Sequence, residues 1–234
     1  MKIIAHRGAS GHEPENTLIA MKAAMDMRVD AIEVDVHLAD GELLVIHDRW
    51  LHKSTNGSGR IVDKSLQEIR ELDAGKGEKI PTLWEVLELI DGRCDVNIEL
   101  KTERTVEPLL NLLQRSIVEL NFKREQFLLS SFNHHLLEEI KRSDKRWSIG
   151  ALTGSLPLTY AEFAQKLNAY SVHIDVDVIN QTFVDDAHAR GLKVYVYTVD
   201  HEEDIEDLHR MQVDGIFTNF PTRSMVRVVH LQRG

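Results

Sequence analysis

The sequence predicts a closed (β/α)8 barrel, an α/β fold covering residues 1–234 as one domain, with a segment inserted after the second strand at about 48–81. Three observations carry that prediction. Short β-branched runs alternate with longer stretches of helical periodicity, the pattern of a parallel sheet with helical crossovers. Eight such runs can be counted once a hairpin strand is set aside, and 234 residues suits a barrel, for which ~250 is typical. An open doubly wound sheet would want a G-x-G-x-x-G loop after its first strand, and His6-Arg7-Gly8-Ala9-Ser10-Gly11 lacks that spacing.

In chain order, a first strand at 2–6 leads through a loop to a helix at 16–27, where Leu18, Ala20, Met21, Ala24 and Met25 form one apolar stripe. A second strand follows at 31–37. After the Asp40-Gly41 turn, a short strand at 43–47 folds back as a hairpin. The stretch 48–81, containing Asn56-Gly57-Ser58-Gly59, is far longer than the ~2–6 residues of an ordinary βα loop, and loops of that size usually serve function. The alternation then resumes with a helix at 82–90, strand 95–101, helix 103–120, strand 126–130 and helix 133–141. It continues with strand 148–152, helix 157–167, strand 171–175, helix 180–190, strand 193–198, helix 201–210 and strand 215–218. Gly191 sits where a helix C-cap is needed before the seventh strand.

Composition narrows the function. With 42% hydrophobic and 28% charged residues the chain can build a globular core, and isolated Gly and Pro mark no linker. Lys plus Arg number 28 against 38 Asp plus Glu, a net charge of −10, which argues against a nucleic-acid partner. A phosphate-bearing small substrate would therefore need locally placed cations. Cys94 is the single cysteine, so no intrachain disulfide forms and the residue reads as a small core hydrophobe. Ile3-Ile4-Ala5 falls far short of the ~20 apolar residues of a membrane span or the ~7–15 of a signal peptide. The expectation is a soluble, cytoplasmic protein.

Barrel enzymes carry their reactive groups at the carboxyl ends of the strands. Here those ends hold His6 and Arg7, Glu33 and Asp35, His47 and Asp48, Glu99 and Lys101, Ser130 and Ser131, and Tyr195 and Tyr197. Residues two apart on a strand share a face, so Glu33 with Asp35 and Glu99 with Lys101 point the same way on neighbouring strands. Three converging carboxylates either have raised pKa values, satisfied by Arg7, Lys101 and backbone donors, or bind a cation. An oxygen-only set favours Mg2+ or Ca2+, with Mn2+ a third option. His6 and His47 beside that cluster could serve as acid and base. Three carboxylates, one divalent cation and a phosphodiester anion leave two negative charges, which Arg7 and Lys101 neutralise. Such a site suits a phosphate ester. His37, two residues beyond Asp35, could also face the mouth, and Trp50 in the insert could be a substrate platform; the remaining histidines and tryptophans read as packing or surface.

An ordered set of motifs carries a resemblance. His6-Arg7-Gly8, Pro14-Glu15-Asn16-Thr17, Ile32-Glu33-Val34-Asp35-Val36, Asp40-Gly41, His47-Asp48, Leu51, Thr55-Asn56-Gly57, Ile98-Glu99-Leu100-Lys101, Ser131-Phe132, Thr198-Val199 and the run from Gly215 to Pro221 together resemble the glycerophosphodiester phosphodiesterases. The resemblance extends from residue 6 to about 221. It implies a TIM barrel, a divalent cation at the positions of Glu33, Asp35 and Glu99, and acid/base roles for His6 and His47. It further implies phosphate contact from Arg7, a supporting charge at Lys101, a mouth-capping insert matching 48–81, and a place near the substrate for Glu15, as a partner of the site or an extra ligand. The reaction implied is hydrolysis of a glycerophosphodiester to sn-glycerol 3-phosphate and an alcohol, by water or through a cyclic phosphate. A lysophospholipase D-like activity on the same scaffold, or a phosphate-ester-binding module without turnover, are the rival readings. Ala39, Lys53, Tyr197 and Asp200 depart from the family pattern, where Thr, Arg, Trp and Asn respectively are common.

Overall fold

The structure is a computed structural model and describes residues 1–232. Strand β1 (Lys2–Ala5) is followed by α1 (Leu18–Asp26), β2 (Ala31–Ala39), β3 (Glu42–Val45), α2 (Leu66–Glu71), α3 (Leu83–Ile90), β4 (Asp95–Leu100), α4 (Val106–Glu119) and β5 (Phe127–Ser131). Then come α5 (His134–Ser143), β6 (Ser148–Thr153), α6 (Glu162–Lys166), β7 (Ser171–Asp175), α7 (Gln181–Ala189), β8 (Lys193–Tyr197), α8 (Glu202–Arg210), β9 (Gly215–Thr218) and α9 (Pro221–Leu231). All strands but β3 are parallel, and β1 pairs with both β9 and β2, so the ring closes as a (β/α)8 barrel. The long β2 strand pairs with β1 at its start and with antiparallel β3 at its end.

Strand alternation sorts the side chains. Ile32, Val34 and Val36 of β2, with Val96, Ile98 and Leu100 of β4, face the helices and are buried in the main core. Full burial of each such side chain stabilises by roughly 1.5–3 kcal/mol. The alternate positions face the barrel interior, where Ile4, Ala31, Tyr195 and Phe217 form a small apolar plug. Above that plug the lining turns polar. Helix starts follow from local chemistry: Thr17 caps α1, Asn133 caps α5 and Asn180 caps α7. Thr82 with Glu85, and Ser65 with Glu68, close reciprocal capping boxes on α3 and α2.

Several elements differ from expectation. The segment 157–161 is turns rather than helix, since Tyr160 takes a left-handed backbone (φ 47) that ends any helical run entering from its N-terminal side. Arg104 (φ 62) delays α4 to Val106 in the same way. Helix α9 has no counterpart in the sequence reading; its start is marked by Pro221 at the first helical position. Residues 48–81 are not a bare loop. They contain α2 and two 3-10 turns, and Leu51, Ile61, Ile69 and Ile80 build a separate small core with Ala39, Leu44 and Ile46 of the hairpin. Lys76 reaches the His12 carbonyl and Glu13, tying this insert to the β1–α1 loop. Among the described residues no helix is long and apolar enough to cross a membrane.

Candidate active site

At the carboxyl end of the barrel lies a cavity of about 430 Å³ whose lining includes His6, Arg7, Glu33, His47, Glu99 and Lys101. Register explains the meeting of the acids: β2 and β4 pair with Asp35 opposite Glu99, so the inward positions of the two strands lie side by side. One ligand atom from each of Glu33, Asp35 and Glu99 lies within 4.8 Å of the others, and all three residues are buried. Asp35 lies beneath the cavity surface, and Glu33 and Glu99 line it.

The cations lock the acids from two sides. Lys101 Nζ sits 2.6 Å from Glu99 Oε1 and 3.1 Å from Asp35 Oδ1. Arg7 Nε approaches Asp35 Oδ2 at 3.2 Å, and its Nη1 contacts both Glu15 oxygens at 3.0 and 3.1 Å. Glu15 is thus placed behind Arg7, outside the cavity lining. Arg7 and Gly8 both adopt positive φ (56 and 79), a turn in which the Arg7 backbone N–H donates to Glu33 Oε2 at 2.8 Å. Asn16 donates to Asp35 Oδ2 at 2.9 Å and accepts from the Asp35 backbone N–H.

These environments push the carboxyls apart. Burial raises Asp35, but Lys101 and Arg7 outweigh it and hold the group at about 2. Glu33 goes the other way, raised well above the usual carboxylate range by burial and by its neighbours Asp35 and Glu99. Burial and Asp35 also raise Glu99, against the pull of Lys101. Glu33 Oε1 is buried without a hydrogen-bond partner. Arg7 and Lys101 make their ion pairs with Asp35, Glu99 and Glu15 and none with Glu33, and a hard divalent cation with oxygen preference would supply that missing partner. The residues fit such an ion.

Both histidines flank this cluster. His6 Nδ1 is 2.8 Å from Asn219 Oδ1, and burial, reinforced by Arg7, lowers its pKa to about 4. His47 Nδ1 faces Asp48 Oδ2 at 3.3 Å. His37 is buried and outside the lining; its Nε2 donates to the His47 carbonyl at 3.0 Å, so it braces the backbone of its neighbour. Trp50 stands apart from the cavity.

Several further residues, to which the sequence assigned no role, join the site. His173, read from the sequence as packing, forms part of the cavity floor with its ring between Tyr195 and Phe217, at centroid distances of 5.4 and 5.1 Å. Phe132, Leu152, Val176 and Tyr197 give one wall an apolar character. Asn219 and Asp200 stand behind His6. Strand periodicity would place His173 inward; Asn219 falls in the motif run from Gly215 to Pro221 and Asp200 is a departure from the family pattern, but nothing local pairs either with His6, at the other end of the chain.

A closed (β/α)8 barrel whose mouth gathers buried carboxylates, paired cations and two imidazoles defines a class of phosphoester-directed enzymes. Residues 6–223 match the sequence profile of the "Glycerophosphoryl diester phosphodiesterase family", and the chain belongs to that family. A glycerophosphodiester phosphodiesterase of Caldanaerobacter subterraneus subsp. tengcongensis is 41% identical over 229 residues, covering 94% of each chain. One from Bacillus subtilis is 32% identical, over 93% of this chain and 83% of its own. The fold of an Oleispira antarctica phosphodiesterase solved in complex with the product sn-glycerol-3-phosphate superimposes with a TM-score of 0.90 at 30% identity, covering 98% and 97% of the two chains.

Proposed function

We propose that this protein hydrolyses glycerophosphodiesters to sn-glycerol 3-phosphate and an alcohol, with Glu33, Asp35 and Glu99 holding one divalent cation, Mg2+ or Ca2+. The observation carrying the reading is the orphaned Glu33 Oε1 in a carboxylate triad that shares its cavity with His6, His47 and Arg7. The product-bound Oleispira relative supports the glycerol phosphate half of the substrate. When bound, the cation would neutralise charge on the phosphoryl oxygens and favour attack at phosphorus.

The chain's own groups then divide the work. Arg7, anchored by Glu15 and Asp35, directs its remaining guanidinium donors at the phosphate. Lys101 balances the charge of Asp35 and Glu99. With Nδ1 donating to Asn219, His6 presents a bare Nε2 and serves as the base that takes the proton of the nucleophile, which is water or the neighbouring glycerol hydroxyl; in the second case water then opens the cyclic phosphate with the two histidine roles exchanged. His47, held through Nδ1 by Asp48, serves as the acid that protonates the departing alkoxide. The test is release of glycerol phosphate from a panel of glycerophosphodiesters across a Mg2+, Ca2+ and Mn2+ series, with an EDTA control. Metal-independent turnover, or no turnover with any of the three ions, overturns the reading. A lysophosphatidylcholine arm decides against the lysophospholipase D alternative if glycerophosphocholine is the faster substrate.

A further inference from the structure

Behind His6 stands a relay of which the acid/base reading uses only the first member, Asn219. Asn219, just past the end of β9, has its side-chain Oδ1 2.8 Å from His6 Nδ1, and the Ser10 hydroxyl lies 2.7 Å from that oxygen and from the His6 carbonyl. On its other side the Asn219 amide nitrogen donates to Asp200 Oδ2 at 2.7 Å. The second oxygen, Asp200 Oδ1, accepts from the Asn219 backbone N–H at 2.8 Å and from the Thr218 hydroxyl at 3.2 Å. Asp200 lies in the connection between β8 and α8, and Arg223 of α9 binds its backbone carbonyl at 3.0 Å.

A carboxylate has acceptors and no donor. Asp200 therefore dictates which end of the Asn219 amide it meets, and the opposite end, the oxygen, must face the imidazole. An amide oxygen can only accept, so Nδ1 of His6 carries the proton and Nε2 carries the lone pair. We propose that Asp200 is a positioning residue that sets the His6 tautomer through Asn219. The proposal rests on the reading of His6 as the base, which it deepens: the group that decides where the reactive lone pair sits stands one amide away from the ring. It touches neither substrate nor cation.

Asp200→Asn isolates this role. The Asn219 backbone N–H cannot be reversed, so the new amide must give it its oxygen. Its NH2 then meets the Asn219 side chain, which flips, and the flipped NH2 aims at His6 Nδ1. The imidazole answers by moving its proton to Nε2. The expected result is a fall in kcat on the order of 10²-fold with KM little changed, the size of a lost general base. In 15N spectra of the full-length chain, with His6 assigned from His6→Gln, the bare-nitrogen signal moves from Nε2 to Nδ1.

The reciprocal variant Asp200→Asn with Asn219→Asp restores every donor–acceptor match: the amide introduced at position 200 donates to the carboxylate introduced at position 219, which accepts from His6 Nδ1. It should regain the original 15N pattern and turnover within about tenfold of the parent. The other charged or titratable groups facing His6 are Arg7 beside it, Asp35 from β2 and His47 from beyond β3. They are common to all variants, so the acidic limb of kcat/KM should move upward in the reciprocal variant, where a full carboxylate backs the ring. A purely structural role of Asp200 would lower activity in the single variant without the tautomer change.

A parent His6 protonated on Nε2, a single variant that keeps both tautomer and kcat, or a folded reciprocal variant that regains neither, overturns the proposal. Full activity of His6→Ala instead refutes the assignment of the base and leaves the 15N result standing, so the two failures are told apart.

Discussion

His173 offers the sharpest link between barrel packing and a measurable property. It lies on β7 with only 1% of its surface exposed, its Nε2 is 2.9 Å from Ser171 Oγ, and its imidazole occupies the space left by Gly150 on β6, where a Cβ would come within 2.4 Å of Nε2. Burial alone lowers its pKa from 6.5 to about 3. Because the folded value lies below the unfolded one, the unfolded chain takes up the proton first as pH falls. Stability from this residue is intact above about pH 6.5 and drains away toward about pH 3. Integrated from pH 8 to pH 5, the loss is about 2 kcal/mol, roughly a thirtyfold change in the folding equilibrium. His173→Gln keeps a hydrogen bond to Ser171 in a similar volume and has nothing to titrate. Urea unfolding of both proteins at the two pH values gives the assay: the parent should lose about 2 kcal/mol more than the variant on acidification. Parallel pH dependences would refute the claim that this imidazole is held neutral by the barrel.

His6→Ala and His47→Ala should each cut kcat by about 10² to 10⁴-fold yet leave calorimetric Mg2+ binding intact, whereas Glu99→Ala should weaken both; a histidine variant with full turnover contradicts the acid/base assignment. Since His6 is lowered to about 4, its base function is present above that pH and lost as pH falls through it, which a kcat/KM profile on a neutral-leaving-group substrate reads directly. Arg7→Lys loses the fork that spans Glu15 and Asp35, and kcat/KM should fall about 10–100-fold, mostly through KM. Gly8→Ala puts a Cβ 2.7 Å from the Ala20 backbone carbon at φ +79, and a stability loss of about 1–3 kcal/mol should appear as a lower urea midpoint; an unchanged midpoint would show the turn is not constrained as described.

Much of the fold was legible because its signals are local. The apolar residues of Ile32–Val36 and Val96–Leu100 alternate with polar or charged inward positions, and that period of two is written in adjacent residues. The capping box at Thr82-Glu85 is equally local and starts α3 where a helix is expected, whereas the one at Ser65-Glu68 starts a helix within the stretch read as a loop. Boundaries failed where single residues take the left-handed backbone, at Arg104 and Tyr160, since Arg and Tyr carry no preference that announces it. Helix α9 escaped for a different reason: Val226, Val228 and Val229 are β-branched, and only packing on β1 and α8 makes that segment helical.

The sequence by itself determined the strand count, the facing of Glu33 with Asp35, and the identities of the acids, cations and imidazoles, because side-chain direction on a strand follows from position in the chain. Tertiary structure alone decided which of these groups are satisfied and by whom. Closure of the ring brings Asn219 to His6 across 213 positions and leaves Glu33 Oε1 without a partner. It also seats His173 in the gap at Gly150. Hydrogen bonding and burial depend on distance in space, and only the closed barrel sets those distances.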